Sequence, residues 1–442
     1  MVKYRYELSK DKRGNFMKSK MGLTTKIFIG MGLGLLLGLI IRVLPAGFIK
    51  DTLFLNGIIK VLGTGFISAI KMLVVPLVFA SITCGVASLA NIKSLGRIGG
   101  KTIVFYLFTT AVAISIAIGL GFLINPGVGL DMSSLVIQEP TIGESQSIAD
   151  LIISIIPTNP VKAMVDGDML QIISFSILLG ATISILGEKA KHVKNFMLSL
   201  NEVCLKMVNI VMAIAPIGVF GLIANTFATT GFEAFGSLIK YMIVVLLALA
   251  VHAVVVYSGL LKGFTGLSIA PFIKRFAKVA AVTFSTASSG AALPITKKAM
   301  DDSGVSNKVS SFTIPLGATI NMDGTAIMQG AATVFIAQIY AIELGIGQIM
   351  AVIVTATLAS IGTAAVPGVG LVMLSMVLRT VGLPVEGIGL IMGVDRILDM
   401  CRTTINVFGD CICTLIVSKS ENEFDEEKYY SSDDTLIDEV TA

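Results

Sequence analysis

Residues 387–417 read GIGLIMGVDRILDMCRTTINVFGDCICTLIV, an apolar segment that is long enough to cross a bilayer as a helix and yet carries ionisable side chains. Its polar residues recur at steps of four, three, four and four: Asp395, Asp399, Arg402, Asn406 and Asp410. Residues at these steps share one face of an α-helix. A charge facing lipid at the bilayer centre costs about 2.5–3.5 kcal/mol. This polar stripe is therefore predicted to face other helices or an aqueous cavity.

The alternative interpretation of the polar stripe is an internal salt-bridge ladder. Asp399 would pair with Arg402, and Asp395 would pair with Arg396 near the rim. That ladder would leave Asp410 without a role. Ionisable residues inside a membrane segment usually mark a substrate or ion pathway, so we interpret the stripe as part of a binding site.

The composition of the whole chain is that of a membrane protein. Of 442 residues, 54% are hydrophobic and 14% are charged, and the mean hydropathy is +0.87. Average soluble domains carry about 25% charged residues. The composition excludes an ordinary soluble enzyme and a disordered chain, and it predicts an all-α polytopic membrane protein. A net charge of +4 without a basic, aromatic-interleaved stripe gives no reason to expect nucleic acid as a partner.

The sequence also lacks the residue sets of catalysis. No nucleophile–histidine–carboxylate set, zinc cluster or phosphate loop occurs at a plausible site, so neither an enzyme nor a cofactor is expected. The five cysteines lack metal-site spacing and are interpreted as buried free thiols. His252 lies in an apolar run, where a packed, hydrogen-bonded histidine is favoured over a proton relay.

The charges that bracket the apolar segments predict the topology. With the N-terminus inside, the Lys- and Arg-rich loops are cytoplasmic and the acidic loop after the third helix is outside. All loops fall on their predicted sides only if the chain forms eight transmembrane helices plus two re-entrant helical hairpins. Both termini are then cytoplasmic. The predicted segments are a basic arm at 1–22, helices 1 and 2 within 23–98, helix 3 at 99–125, an outer loop with helices 4 and 5 within 126–232, helix 6 at 233–262, hairpin 1 at 269–303, helix 7 at 307–342, hairpin 2 at 344–384, helix 8 at 385–418 and a solvated acidic tail at 419–442. Within this set, helices 4 and 5 are expected at about Met169–Gly187 and Met207–Phe232.

Two tips containing Gly and Pro mark the re-entrant hairpins. Pro294 precedes Asp323 by 29 residues, and Pro367 precedes Asp399 by 32 residues. Each unit is thus a hairpin followed by a helix with charge at membrane depth, and opposite entry sides make the two units an inverted repeat. Irregular backbone at this depth must be buried in protein or line a cavity. The repeats predict a substrate site between them.

The pentapeptide Asn321-Met322-Asp323-Gly324-Thr325 interrupts the apolar sequence of helix 7. Asn and Asp supply hard oxygen ligands, Met supplies a sulfur, and Gly permits the helix to break. A helix broken here would free carbonyl groups to hold a small cation.

These motifs resemble the dicarboxylate/amino acid:cation symporters, a family that includes the glutamate transporters. The resemblance covers roughly residues 25–418, and Asn321–Thr325 and Arg402–Val407 match family signatures. It implies a symporter that takes up glutamate or aspartate with sodium by alternating access, as a homotrimer in the lipid bilayer of the cell membrane. Helices 1, 2, 4 and 5 would form a scaffold, and helices 3 and 6 with residues 269–418 would form a mobile transport domain.

The resemblance also implies roles for individual residues. Asp399 would bind the α-ammonium group of the substrate, and Arg402 would bind its side-chain carboxylate. The other implied substrate-binding residues are Ser289, Thr325, Val366, Gly370, Thr403 and Asn406. One sodium site would use Gly317, Asn321, Asn406 and Asp410. A second would use Thr319, Met322, Ser360, Ile361 and Thr363, and a third would use Tyr106, Thr109, Thr110, Asn321 and Asp323.

Several relatives carry an arginine at one of two positions, where this chain has Ala287 and Met400, so its affinity and transport rate can differ from theirs. A different substrate also stays open: a C4-dicarboxylate, a neutral amino acid or cystine. Proton coupling also stays open, because protonation would neutralise buried carboxylates as sodium does. An ion channel is the rival of another class, since polar stripes line channels too.

Overall fold

The computed structural model describes residues 23–88, 97–130, 153, 155–229, 233–361 and 369–431. All regular elements of these residues are helices, which confirms the predicted all-α class. The first half contains α1 (Leu23–Val43), a π-helical stretch (Phe48–Ile59) that runs into α2 (Lys60–Ser88), α3 (Arg97–Ile124), α4 (Pro160–Asp166), α5 (Met169–Leu186), α6 (Lys191–Ala213) and α7 (Ala215–Thr229). The predicted basic arm at 1–22 lies outside the described residues.

The second half contains the remaining helices. They are α8 (Glu233–Val251), a π-turn (His252–Tyr257), α9 (Ser258–Thr265), α10 (Ile269–Thr286), α11 (Ser289–Asp302), α12 (Asn307–Ile320), α13 (Asp323–Ile339), α14 (Ile346–Ser360), α15 (Val369–Thr380), α16 (Ile388–Ser420) and α17 (Glu426–Tyr430).

Six stretches of the described chain are long and apolar enough to cross a bilayer. They are Thr25–Val43, Phe48–Ala87, Arg97–Ile124, Met169–Ala213, Phe235–Thr265 and Val385–Ser420. The protein is therefore a multi-pass membrane protein. The number of eight spanning helices and the entry of both hairpins from opposite sides stay predictions.

Glycines along one face of α1 let its backbone lie directly against the backbone of α7. A Cβ added at Gly34 would lie 2.5 Å from the carbonyl oxygen of Phe220, and one at Gly38 would lie 2.6 Å from that of Ala224. Small residues that allow backbones to approach this closely stabilise helix pairs in membranes. Because α2 packs against α5, α6 and α7, these helices form one packed group.

Helix 5 differs from its predicted bounds of Met207–Phe232. The chain forms two helices here, and the break at Ile214 precedes Pro216, which cannot donate a backbone hydrogen bond and clashes with the preceding turn. The first of them, α6, already begins at Lys191. Its charged residues indicated a loop, but they lie on the exposed side of an amphipathic helix whose apolar side is buried.

The two predicted hairpins correspond to pairs of packed helices. In the first pair, α10 and α11 are joined by Ala287, whose φ of 48° is left-handed, and by Ser288. The hydroxyl of Ser288 caps α11 by accepting the N–H of Ala291 at 3.3 Å. In the second pair, α14 packs against α15. The tip that joins them, residues 362–368, lies outside the described part of the chain.

Helix 7 breaks where the pentapeptide predicts. The α-helical backbone stops at Ile320 and resumes at Asp323, and nearly every residue of α13 is buried. This buried helix packs against α3 on one side and α16 on another. The interior of the second half is thus built around α13 and α16.

The segment after α16 folds back onto the protein. Glu421 accepts hydrogen bonds from Arg97 at 2.7 Å and from Lys101 at 2.6 Å, which lower its pKa. A lowered carboxylate pKa contributes stability above the ordinary Glu value of about 4.3, and this contribution is lost as the pH falls through the lowered pKa. Residues 421–431 of the predicted tail therefore fold against the protein, with most of their side chains still exposed. Residues 432–442 lie outside the described residues.

A buried arginine anchors this C-terminal segment to the base of hairpin 1. Arg275 on α10 donates to the carbonyl oxygens of Tyr429 at 2.7 Å, Ser431 at 2.9 Å and Lys428 at 3.2 Å. The side chain of Tyr429 is fully buried beneath it. Charge-assisted hydrogen bonds of this kind hold the chain more strongly than neutral ones.

We expect Arg275→Ala to release the C-terminal segment, because three carbonyl groups lose their charged donor at about 1.5–3 kcal/mol for each such bond. Amide hydrogen exchange in residues 421–431 should become faster, and the melting temperature should fall. The matched control is the exposed neighbour Lys274→Ala, which removes the same charge. Equal exchange in the two variants would contradict the anchoring role.

Candidate functional site

The break between α12 and α13 lies against the middle of α16. The N–H of Gly324 donates to Asn406 Oδ1 at 2.7 Å, and a Cβ added at Gly324 would lie 2.6 Å from the carbonyl oxygen of Arg402. Asn321 Nδ2 donates to the carbonyl oxygen of Asn406 at 2.8 Å and to Asp410 Oδ1 at 2.9 Å. The pentapeptide and the polar stripe thus form one buried polar region.

Arg402 lies in the centre of this region and is only 1% exposed. Its NH1 group donates to Asp395 Oδ1 at 2.7 Å, and its NH2 group donates to Asp399 Oδ1 at 3.0 Å. The ladder interpretation foresaw the second pair, but the structure gives Arg402 rather than Arg396 as the 2.7 Å partner of Asp395. Arg396 Nη1 lies 3.5 Å from Asp399 Oδ2, so Asp399 lies between two guanidinium groups, and an ammonium group of a ligand could pair with its carboxylate.

A cavity of about 190 Å³ lies beside these aspartates. Asp395 and Asp399 line it from α16, while Met212 and Val219 line it from α6 and α7. Partly buried ionisable groups that border a cavity between packed groups of helices are a common setting for a ligand site.

Two further predicted substrate residues lie next to Arg402. A Cβ added at Gly370 would lie 3.4 Å from Thr325 Cγ2 and 3.7 Å from Arg402 NH2. Thr403, the next residue of α16, is buried. Gly370, near the start of α15, therefore lies close to the guanidinium and to Thr325.

The remaining predicted substrate residues are placed less directly. Ser289, at the start of α11, is buried and donates to the carbonyl oxygen of Ala318 at 3.4 Å. Asn406 already accepts from the backbone of the broken helix, and its Nδ2 lies 3.6 Å from the sulfur of Met322. Its amide still has a second N–H that a ligand could accept. Val366 lies outside the described residues.

The first predicted cation site, at Gly317, Asn321, Asn406 and Asp410, lies beside Tyr106, which was assigned to the third site. Asn321 Oδ1 and the Tyr106 hydroxyl are buried and have no hydrogen-bond partner among the described residues. A Cβ added at Gly317 would lie 2.5 Å from the Tyr106 hydroxyl and 2.6 Å from Asp410 Cγ. Glycine therefore leaves space where a carboxylate and a phenol meet. Orphaned oxygens around a carboxylate suit a hard cation such as sodium.

The carboxylate of Asp323, in the third predicted cation site, is fully buried at the start of α13. Thr110 donates to Oδ1 at 2.5 Å. On the other side, His252 Nε2 lies 3.0 Å from Oδ2 and the Tyr257 hydroxyl donates to Oδ2 at 2.5 Å. Thr109, assigned to the same site, donates to the carbonyl oxygen of Tyr106 at 3.2 Å.

The second predicted cation site is only partly described. Met322 lies in the break between α12 and α13, and Thr319 precedes it as an exposed residue near the end of α12. Ser360 and Ile361 end α14, and Ile361 belongs to the same apolar cluster as Ile320 and Val407, which flank this region. Thr363 lies outside the described residues.

Sequence reasoning missed three residues of this region. Asp395 was recognised as part of the stripe but not as a site residue. His252 was interpreted as a packed histidine, and it is buried and hydrogen-bonded, but its partner is the carboxylate of Asp323. No sequence signal pointed to Tyr257, because residues five apart do not share a face of an ordinary α-helix.

Comparison with known proteins places the sequence of this chain in a family. Residues 23–420 match the model of the sodium:dicarboxylate symporter family. The proton/sodium-glutamate symport protein of Geobacillus stearothermophilus is 38% identical over 416 residues, covering 92% of this chain and 97% of the relative. The proton/glutamate-aspartate symporter of Escherichia coli K12 is also 38% identical, over 419 residues, covering 92% of this chain and 95% of the relative.

A relative named for another substrate is nearly as similar. The C4-dicarboxylate transport protein of Bacillus subtilis 168 is 36% identical over 375 residues, covering 84% of this chain and 89% of the relative. Similarity over the whole chain therefore does not separate an amino acid from a dicarboxylate as substrate.

We expect Gly324→Ala to destabilise the protein by about 1–3 kcal/mol, because the added methyl group meets rigid backbone of α16 rather than a flexible side chain. Thermal melting should show the loss. Gly119→Ala on α3 is the matched control, since a Cβ there has nothing within 4 Å. If both variants melt like the wild type, the close approach of α13 to α16 is not required.

Proposed function

The chain belongs to the sodium:dicarboxylate symporter family, and we propose that it is a secondary active transporter that takes up acidic amino acids together with sodium ions. The observation that carries the proposal is the buried Arg402 held between Asp395 and Asp399. An acidic amino acid matches this arrangement, because it brings one ammonium group and a side-chain carboxylate.

Binding would exchange one set of ion pairs for another. The substrate ammonium would pair with Asp399. The side-chain carboxylate would then bind the guanidinium N–H groups of Arg402 that Asp399 no longer contacts. Asp395 would keep its hydrogen bond to Arg402 and hold the guanidinium in place. The ammonium and the side-chain carboxylate would then each have a charged partner, while the α-carboxylate would need hydrogen-bond donors at this depth.

The second candidate substrate is a C4-dicarboxylate, which the Bacillus subtilis relative's name makes a specific alternative. A dicarboxylate also matches the guanidinium fork. It has no ammonium, however, and would add negative charge next to Asp399 and Asp395. The two aspartates beside Arg402 therefore favour the amino acid.

The buried oxygens support sodium as the coupling ion. Asp410, Asn321 and Tyr106 would hold one ion, and Asp323 with Thr110 would hold another. Sodium would neutralise the two carboxylates, and the orphaned amide and phenol oxygens would complete its coordination. Proton coupling is the second candidate, and the name of the Escherichia coli relative favours it. Protonation would neutralise the carboxylates but leave the oxygens of Asn321 and Tyr106 without a partner.

Alternating access would follow from movement between two groups of helices in each subunit of a homotrimer in the cell membrane, with both termini cytoplasmic. The scaffold would contain α1, α2 and α5–α7, and the transport domain would contain α3 and α8–α16. Lys71 on α2 and Glu386, just before α16, form an ion pair of 2.7 Å across this boundary. Such a pair would form in one position of the transport domain and break in another.

We expect Asp399→Asn to weaken aspartate and glutamate binding by about tenfold or more, equal to 1.4 kcal/mol, because the ammonium loses its counter-ion. Isothermal titration measures the loss, with the exposed Asp166→Asn as control. Succinate in the same assay separates the substrate classes. Tight succinate binding by the wild type, kept or improved in Asp399→Asn, would support a dicarboxylate carrier and contradict the proposal.

The coupling ion is tested by uptake of labelled aspartate into proteoliposomes at one fixed pH, with sodium replaced by choline. We expect uptake to be lost in choline, and we expect Asp323→Asn and Asp410→Asn to need more sodium, because each removes a charged ligand. Asp166→Asn again serves as the control. Sodium-independent uptake driven by an imposed pH gradient would show proton coupling instead.

A further inference from the structure

The membrane helix formed by α8 and α9 contains a π-turn at its centre, from His252 to Tyr257. In an ordinary α-helix, residues five apart point to different sides, since each residue turns by about 100°. In a π-turn the backbone hydrogen bonds run from residue i to i+5, so residues five apart lie above one another. His252 and Tyr257 accordingly lie on the same side, with ring centroids 4.4 Å apart.

Both rings reach one oxygen atom. His252 Nε2 lies 3.0 Å from Asp323 Oδ2, and the Tyr257 hydroxyl lies 2.5 Å from the same atom. A carboxylate oxygen only accepts, so Nε2 and the hydroxyl both donate. All three side chains are fully buried, and His252 Nδ1 has no partner among the described residues. The neutral tautomer with its proton on Nε2 is sufficient for this contact.

The hydroxyl of Tyr257 is held in this position from the opposite side. Its oxygen lies directly against Gly409 of α16, where a Cβ would overlap it. The ring also packs against Phe408, with centroids 5.8 Å apart. Tyr257 therefore lies between α16 and Asp323, and its hydroxyl group cannot move toward α16 without displacing the backbone of that helix.

These contacts differ between the two carboxylate oxygens of Asp323. Oδ2 is occupied by two donors on rigid rings, whereas Oδ1 accepts from Thr110, a short hydroxyl whose oxygen can itself coordinate a cation. A carboxylate fixed at one oxygen presents the other in a constant direction. Ligands that are oriented in this way by groups behind them bind metal ions more tightly than free ones.

We propose that His252 and Tyr257 are positioning residues for Asp323, and that the π-turn serves to place both on Oδ2 so that the Oδ1 side is held ready for the coupling sodium ion. This inference rests on the proposed sodium site at Asp323. Neither residue need touch the ion. Their removal should weaken sodium binding although every oxygen ligand of the site remains.

The experiment measures sodium binding to purified protein without substrate, by titration calorimetry at one fixed pH, together with melting in choline. Tyr257→Phe removes one hydroxyl and keeps the ring, and His252→Leu removes the ring donor. We expect each to weaken sodium binding by about tenfold or more. His252→Gln keeps an N–H donor and should recover to within about threefold of the wild type, which loss of packing alone would not explain.

The matched control is Tyr241→Phe, another fully buried tyrosine of α8, whose hydroxyl has no hydrogen-bond partner among the described residues. It should leave sodium binding unchanged.

The outcomes separate this inference from the proposed function. If the wild type binds sodium and Asp323→Asn does not, but Tyr257→Phe and His252→Leu bind it like the wild type, the positioning role is refuted while the proposed function stands. If the wild type itself shows no sodium binding, the proposed function fails and this inference fails with it. Lower melting temperatures with unchanged sodium affinity would assign the two rings to stability alone.

Discussion

Every ionised side chain buried at membrane depth must be paired or hydrogen-bonded, and the architecture of the second half follows from that constraint. Arg402 satisfies it with Asp395 and Asp399, and Asp323 satisfies it with three donors from two stretches of helix, α3 and the π-turn. Asp410 accepts a hydrogen bond from the side-chain amide of Asn321. The helices around α13 and α16 are therefore held in register by polar contacts, since apolar packing between lipid-soluble helices gives little specificity of its own.

Departures from regular helix supply the groups that make these contacts. The break at Asn321 and Met322 exposes the N–H of Gly324, which Asn406 accepts, and it frees the Asn321 amide for Asp410. The π-turn brings His252 and Tyr257 to one oxygen. In a membrane such irregular backbone is tolerated only where it is buried in protein or lines a cavity, and here it is buried against α16. The irregular positions and the candidate site therefore coincide.

The same framework serves relatives named for different substrates, and the structure suggests where the distinction lies. Arg402 offers a carboxylate-binding fork that an acidic amino acid and a C4-dicarboxylate share. In the proposed site, the two ligands would differ in the group that meets Asp399. The folded segment at 421–431 lies away from this chemistry, on the base of hairpin 1, and it contributes to holding that base together through Arg275.

Composition, charge placement and residue spacing were sufficient to predict an all-α membrane protein, the polar stripe of α16 and the break in helix 7, because these depend on local periodicity and on the cost of charge in lipid. The individual candidate ligands came from the resemblance to the symporter family. Composition and spacing did not predict the docked segment at 421–431, since an acidic composition does not reveal a buried arginine elsewhere that donates to its carbonyl groups. Nor, apart from Asp399 with Arg402, did they predict which carboxylate each donor contacts. Asp395 with Arg402, and His252 and Tyr257 with Asp323, are decided by helix packing and by a π-turn, which bring together residues that no helical period relates.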